Sequence, residues 1–356
     1  MTIASRVRAL SLFIWLASLI VSVAALALRT GGRGVSRTSA ARLRGRPAEA
    51  STSGFPAAGA TIKAVWLLGV LLWGGAALAD TQVAPPACEI AAGSLPLDGG
   101  VVHYSRAGQG PTVVLLHGLF AQRQQWHALL CALAAAGFDA LAPDLPGFGE
   151  STDFPVTDYD LEHQVDLLHR FIGGLGLREF ALAANSMGGT IAALYVQRHP
   201  RGVRRLAFVG PPLGVVDWAP GVRQAIQDGI NPFIPIDDNQ LDLELRLLFA
   251  TPPPVPAPVR EALIKDYVAR NRHYQQVWDS VNLYDRVLDR PLKVSVPVLI
   301  LWGESDGIYP VAGAKTLHRR LPGSTRITLP GAGHLPMMER PAETAAVLIP
   351  FLRGRR

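Results

Sequence analysis

From about Val101 onward, short apolar runs alternate with longer stretches whose apolar residues recur at helical spacing. Thr112-Val113-Val114-Leu115-Leu116 and Glu179-Phe180-Ala181-Leu182-Ala183 read as strands. Val296-Pro297-Val298-Leu299-Ile300-Leu301-Trp302 is apolar throughout, the pattern of a strand covered on both faces. Thr325-Arg326-Ile327-Thr328-Leu329 alternates like a shorter strand. Met187 to Arg198 is helical in pattern and is stopped by Pro200, while Ala128 to Leu133 reads as a buried helix. Strands and helices in alternation predict an α/β domain with a mostly parallel central sheet and helices on both faces. Between Val209 and Leu292 the alternation breaks. That stretch carries Trp218, Phe233, Phe249 and Trp278, with proline clusters at Asn231 to Pro235 and Thr251 to Pro254.

Two further apolar segments precede the domain. Ala9 to Leu28 is an uncharged run long enough to span a bilayer. Ala64 to Ala79 follows Lys63 and ends in Ala77-Leu78-Ala79 before Asp80, the form of a secretory signal with a small-x-small cleavage site. The expected division is a hydrophobic and basic leader over 1–80 and a catalytic domain over 81–356. Arginines 29, 33, 37, 42, 44 and 46 lie between the two apolar segments and favour a cytoplasmic linker. Either segment would leave the domain membrane-anchored or exported, periplasmic or extracellular in a bacterium. The Arg/Ala/Gly/Ser-rich stretch 29–60 also fits spurious upstream translation, with a true start near Thr61.

The net charge of +6 belongs to the leader. Up to Lys63 there are nine basic residues against the single acid Glu49, whereas acidic residues slightly outnumber basic ones in the remainder. Nucleic-acid binding by the domain is thereby excluded. No metal-ligand cluster or phosphate-binding glycine loop is visible, and no cofactor is expected. Cys88 and Cys131 are the only cysteines; one bridge or two unrelated thiols are both compatible with the sequence.

The candidate chemistry centres on Ser186. It lies in Leu182-Ala183-Ala184-Asn185-Ser186-Met187-Gly188-Gly189, where an apolar strand turns into a helix. A serine hydroxyl needs exposure, a base and donors for a developing oxyanion. A sharp strand-to-helix turn provides exposure and aims helix N-terminal N–H groups at the reacting carbonyl. Small residues are required two positions either side, and here they are Ala184, where glycine is usual, and Gly188. Two later loops supply partners. Gly303-Glu304-Ser305-Asp306 follows the apolar run ending at Trp302, and Pro330-Gly331-Ala332-Gly333-His334 follows the run ending at Leu329. His334 is the expected base and Asp306 its orienting acid, with Glu304 the alternative acid, only two residues beyond the strand. His117 precedes the serine and is read as structural.

These residues carry a family resemblance. His117-Gly118, Pro143-Asp144-Leu145-Pro146-Gly147-Phe148-Gly149-Glu150-Ser151, Asn185-Ser186-Met187-Gly188-Gly189, Trp302-Gly303-Glu304-Ser305-Asp306 and Gly333-His334-Leu335-Pro336 occur in order. Over roughly Leu95 to Leu352 the chain resembles an α/β-hydrolase of the lipase, esterase and monoacylglycerol-lipase branch. The resemblance implies the α/β-hydrolase fold with a helical cap, about 211–292, inserted between strands 6 and 7. It also implies the triad Ser186-Asp306-His334, with oxyanion donors from the backbone N–H groups of Leu119 and Met187. Phe120, Trp218 and Phe249 are expected to shape an apolar substrate pocket. The expected activity is hydrolysis of carboxylic esters of a small molecule or lipid, monoacylglycerols among the candidates, with membrane association through the leader. The alternative within enzymes is a carbon–carbon bond hydrolase, which shares the elbow but commonly has tryptophan where Leu335 stands. A non-catalytic binding protein on the same fold is the alternative from another class.

Overall fold

The computed structural model describes residues 88–282 and 292–354. The expected leader segments 9–28 and 64–79 lie outside the described residues. Among those described, no helix is long and apolar enough to cross a membrane.

Eight strands form one sheet: β1 (Ala91–Leu97), β2 (Gly100–Ala107), β3 (Thr112–Leu116), β4 (Asp139–Pro143), β5 (Phe180–Asn185), β6 (Val203–Val209), β7 (Val298–Gly303) and β8 (Thr325–Leu329). Their spatial order is β1-β2-β4-β3-β5-β6-β7-β8. The β1–β2 and β2–β4 pairs are antiparallel, and all pairs from β3–β4 to β7–β8 are parallel. Helices α1 (His127–Ala135), α2 (Leu161–Gly174), α3 (Met187–Arg198), α8 (Ala312–Arg320) and α10 (Pro341–Leu352) cover the sheet; the short α9 (Pro336–Glu339) precedes α10.

The continuous apolar runs follow from this double cover, since residues on both sides of each inner strand are buried. Leu116, Leu182, Phe208, Ile300 and Trp302 pack into the cluster that includes residues of α2, α3 and α8. Their neighbours Leu115, Ala183, Val209, Leu299 and Leu301 pack into the opposite cluster with residues of α1 and α10. A large apolar side chain fully buried in this way contributes about 1.5–3 kcal/mol over its exposed state. Observed strands β3 and β8 and helix α3 have the expected limits. By contrast, β5 runs on to Asn185, and β7 begins at Val298, after Pro297.

The sheet also begins earlier than its apolar pattern indicates. β1 is an edge strand whose residues alternate only between exposed and half-buried. Gly93 lies under the ring of Tyr104 in β2, so closely that a Cβ there would clash with the ring. A disulfide joins Cys88, just before β1, to Cys131 in α1, across 43 residues.

Among the described residues, four helices stand between β6 and β7: α4 (Pro220–Gln227), α5 (Asp238–Leu248), α6 (Ala257–Ala269) and α7 (Asn271–Asn282). Prolines set the starts of two of them. Pro220 is at the first position of α4, where its missing N–H leaves no helical bond unmade, and Pro256 precedes α6. Asp237 caps α5 by accepting from the Gln240 N–H.

Candidate active site

All the candidate residues lie beyond the C-terminal ends of parallel strands, where ligands of open α/β sheets bind. Ser186 follows β5 directly, Asp306 stands three residues past β7, and His334 ends the loop after β8. Leu119 stands three residues beyond β3.

The turn at Ser186 is strained. Its backbone has φ 50° and ψ −123°, a region that non-glycine residues avoid and that costs about 1–3 kcal/mol. Its N–H donates to the Val209 carbonyl of β6 at 3.1 Å, and its own carbonyl accepts from Gly189 at 2.8 Å. The hydroxyl makes no capping bond to α3, although the serine occupies the N-cap position. It is therefore not committed to holding the helix. Ser186 is half-buried while the residues around it are buried. Gly188 is compelled by the same turn: a Cβ there would sit 2.5 Å from the His117 carbonyl oxygen and 2.7 Å from that of Leu116. Ala184 is fully buried and is accommodated at the other small-residue position.

Asp306 and His334 are brought together. His334 Nδ1 donates to Asp306 Oδ2 at 2.9 Å, and both residues are buried. With the proton on Nδ1, the Nε2 lone pair is left for another partner. Asp306 Oδ1 accepts from the backbone N–H groups of Ile308 (2.8 Å) and Tyr309 (2.9 Å). Trp302 Nε1 then donates to the Tyr309 carbonyl at 3.0 Å, fixing the loop to the end of β7. Neither backbone donor was foreseen in the sequence, because a main-chain N–H carries no residue-specific signal. Glu304, the alternative acid, is exposed and accepts from Thr328 Oγ1 at 3.0 Å.

Asn185 joins the serine turn to the histidine loop. Its Nδ2 donates to the carbonyls of Val209 (3.0 Å) and His334 (3.2 Å). The loop after β3 passes the serine closely, since a Cβ on Gly118 would lie 3.1 Å from Ser186 Cβ. His117 is fully buried and accepts from the Leu145 N–H through Nε2 at 2.9 Å, so its Nδ1 donates to the Gly118 carbonyl at 2.7 Å. Burial lowers its pKa and keeps it neutral. Both nitrogens are thus spent on backbone, as a structural role requires. Nearby, Arg123 and Asp144 form a buried ion pair with Glu150 beside them. Burial opposes the Arg123 charge, but the two carboxylates outweigh it and its pKa is raised.

The pocket candidates fall in different places. Phe120 has φ 54°, and its ring meets Tyr274 of α7 edge-on at 5.3 Å and Phe148 at 6.3 Å. Trp218 stacks on Tyr309 at 4.7 Å and lies 5.6 Å from Phe233 and 6.3 Å from Trp278. Tyr309 in turn lies 5.9 Å from the His334 ring. An aromatic row thus leads from the histidine into the inserted helices. Phe249 is buried in the other core cluster with Val259, Leu335 and Met337, behind the histidine loop. Among the described residues, no group of three or more His, Cys, Asp or Glu could hold a metal ion.

The parallel sheet carries a strained serine after a central strand and a buried Asp–His pair on later loops, and comparison with known proteins identifies the fold. Residues 111–341 match the family described as the alpha/beta hydrolase fold, and the chain belongs to it. Its relatives place it on the lipase and esterase branch. It is 27% identical over 260 residues to monoacylglycerol lipase abhd6-A of Xenopus laevis, spanning 69% of this chain and 77% of that protein. It is 25% identical over 243 residues to lipase 1 of Psychrobacter immobilis, spanning 66% of this chain and 75% of that protein. Among solved structures, it resembles a membrane phospholipase A described as a novel bacterial virulence factor. Identity there is 30% and the TM-score 0.67, covering 74% of this chain and 86% of the other.

Proposed function

We propose that the protein is a serine hydrolase of carboxylic esters, acting on acyl esters of lipid character such as monoacylglycerols. The observation that carries this reading is the Asp306–His334 pair tied through Asn185 to a strained, uncapped Ser186. In the proposed cycle, His334 Nε2 takes the Ser186 proton as Oγ attacks the ester carbonyl. The N–H groups of Leu119 and Met187 hold the oxyanion. His334 then returns the proton to the departing alcohol, leaving an acyl-enzyme on Ser186. Water, deprotonated by the same imidazole, releases the acid. The aromatic row at Tyr309 and Trp218 supports an apolar acyl partner, as do the names of the relatives. Membrane association and export through the leader belong to the same proposal and rest on the sequence pattern alone.

Labelling by a fluorophosphonate probe tests the mechanism, and a panel of p-nitrophenyl esters beside monoacylglycerols tests the substrate class. Labelling lost in Ser186→Ala, with ester turnover in the native protein, is expected. A protein that cleaves a carbon–carbon bond between carbonyl groups but none of the esters would overturn the substrate class. One that takes no label would overturn the nucleophile.

A further inference from the structure

Glu339, in the short helix just past His334, makes contacts that the proposed reaction leaves unused. Its Oε1 accepts from the backbone N–H groups of Ala250 (2.8 Å) and Thr251 (3.3 Å), and its Oε2 accepts from that of Gly333. The first two donors follow α5, within the helices inserted between β6 and β7. The third immediately precedes His334. A single half-buried carboxylate thus bridges two segments that are 82 positions apart or more in number, and each oxygen serves one of them. A second contact runs beside it: the His334 N–H donates to the Leu248 carbonyl at 2.8 Å. The fit is close, since a Cβ on Gly333 would lie 2.6 Å from the Ala250 nitrogen and 2.7 Å from the Leu248 carbonyl oxygen. Only glycine permits the two segments to lie this near.

We infer that Glu339 is a positioning residue that fastens the His334 loop to the inserted helices, so that a displacement of those helices is passed to the imidazole. This rests on the reading of Ser186, Asp306 and His334 as the catalytic residues. Ionised, the carboxylate is acceptor-only and suits three amide donors at once. Glutamine cannot replace it fully, because its NH2 would face an N–H on one side. Glu339→Gln keeps one segment and releases the other, and Glu339→Asp withdraws the group by one methylene from both.

The test is turnover per active site, with sites counted by fluorophosphonate titration so that unfolded protein does not enter. For Glu339→Gln, kcat on p-nitrophenyl acetate is expected to fall at least tenfold with KM within about twofold, since the imidazole is misplaced while the pocket remains. Glu339→Asp is expected to lie between the two. With a long-chain p-nitrophenyl ester the kcat loss is expected to differ by threefold or more, because that acyl group presses on the inserted helices and acetate does not. Should Glu339→Gln fail to fold, Glu339→Asp is judged by the same measures. Wild-type kcat per titrated site in the folded variants overturns the inference, as does an equal loss on both esters. Failure of the native protein to label overturns the catalytic reading instead.

Discussion

Asn185 Nδ2 donates to the main-chain carbonyl of His334, 149 residues further along the chain, at 3.2 Å. The residue before the candidate nucleophile thus holds the backbone of the candidate base. Register between the two loops depends on a side chain adjoining the serine, and its oxygen is engaged as well, accepting from Gln125 Nε2 at 3.4 Å.

Ser186→Ala should abolish ester turnover by on the order of 10³-fold or more in kcat. Its hydroxyl caps no helix, so circular dichroism and the unfolding midpoint should stay close to the native values. Substantial turnover by a folded Ser186→Ala protein would sink the nucleophile assignment.

Asp306→Asn should lower kcat by roughly 10⁴-fold, the magnitude known for this change in another triad enzyme, because the amide favours the wrong imidazole tautomer. Glu304→Gln should leave kcat near the native value, since that side chain is exposed and bonded to Thr328. Kinetics of the two variants side by side decides between the acids.

Gly188→Ala should be more damaging than its single methyl group implies. The new Cβ would be 2.5 Å from the His117 carbonyl oxygen, a backbone atom that cannot rotate away. A loss of about 1–3 kcal/mol in a urea unfolding series is expected, with esterase activity falling alongside it. Unchanged stability would show that the serine turn is looser than its geometry.

Trp218→Ala should shift the acyl-length optimum while acetate esters are still cleaved. The indole stacks on Tyr309 and so stands one ring removed from His334. Specific activities across a series of p-nitrophenyl esters give the answer. A uniform loss at all lengths, in folded protein, would mean that Trp218 supports the helices and does not touch substrate.

Glu244 supplies a pH dependence. Burial raises its pKa to about 8 from 4.5, only partly offset by the Tyr267 hydroxyl. The native state therefore holds a proton that the unfolded chain releases, and stability should fall as pH rises from about 4.5 to about 8. Glu244→Gln cannot titrate and should flatten that part of the curve. Unfolding midpoints measured across this range compare the two slopes, and parallel slopes would assign the effect to other groups.

Much of the sheet was legible because its inner strands are apolar on both faces, so β3 and β7 announce themselves by composition, while the edge strand β8 shows itself by alternation. β1 does not: at an edge, with Gly93 and Pro96 in it, it buries too little to leave a pattern. The candidate site was legible where a residue type is chemically scarce, as with Ser186 between small residues or His334 between glycines and proline. What escaped was work done by main chain, such as the Ile308 and Tyr309 N–H groups on Asp306. Pocket residues were the least legible. Aromatic side chains look alike in sequence whether they join a row of rings leading to His334, as Trp218 does, or are packed in the opposite core cluster, as Phe249 is.

The bond between Cys88 and Cys131 encloses β1, β2, β3 and the loop that carries Leu119 within one covalent ring. A protease that nicks the chain once inside that ring cannot separate the pieces. The cut molecule would migrate as a single species on a denaturing gel until a thiol reagent is added, and only then as two fragments. The tether thus makes the stretch leading into the Gly118–Leu119 loop tolerant of a break that would otherwise release it.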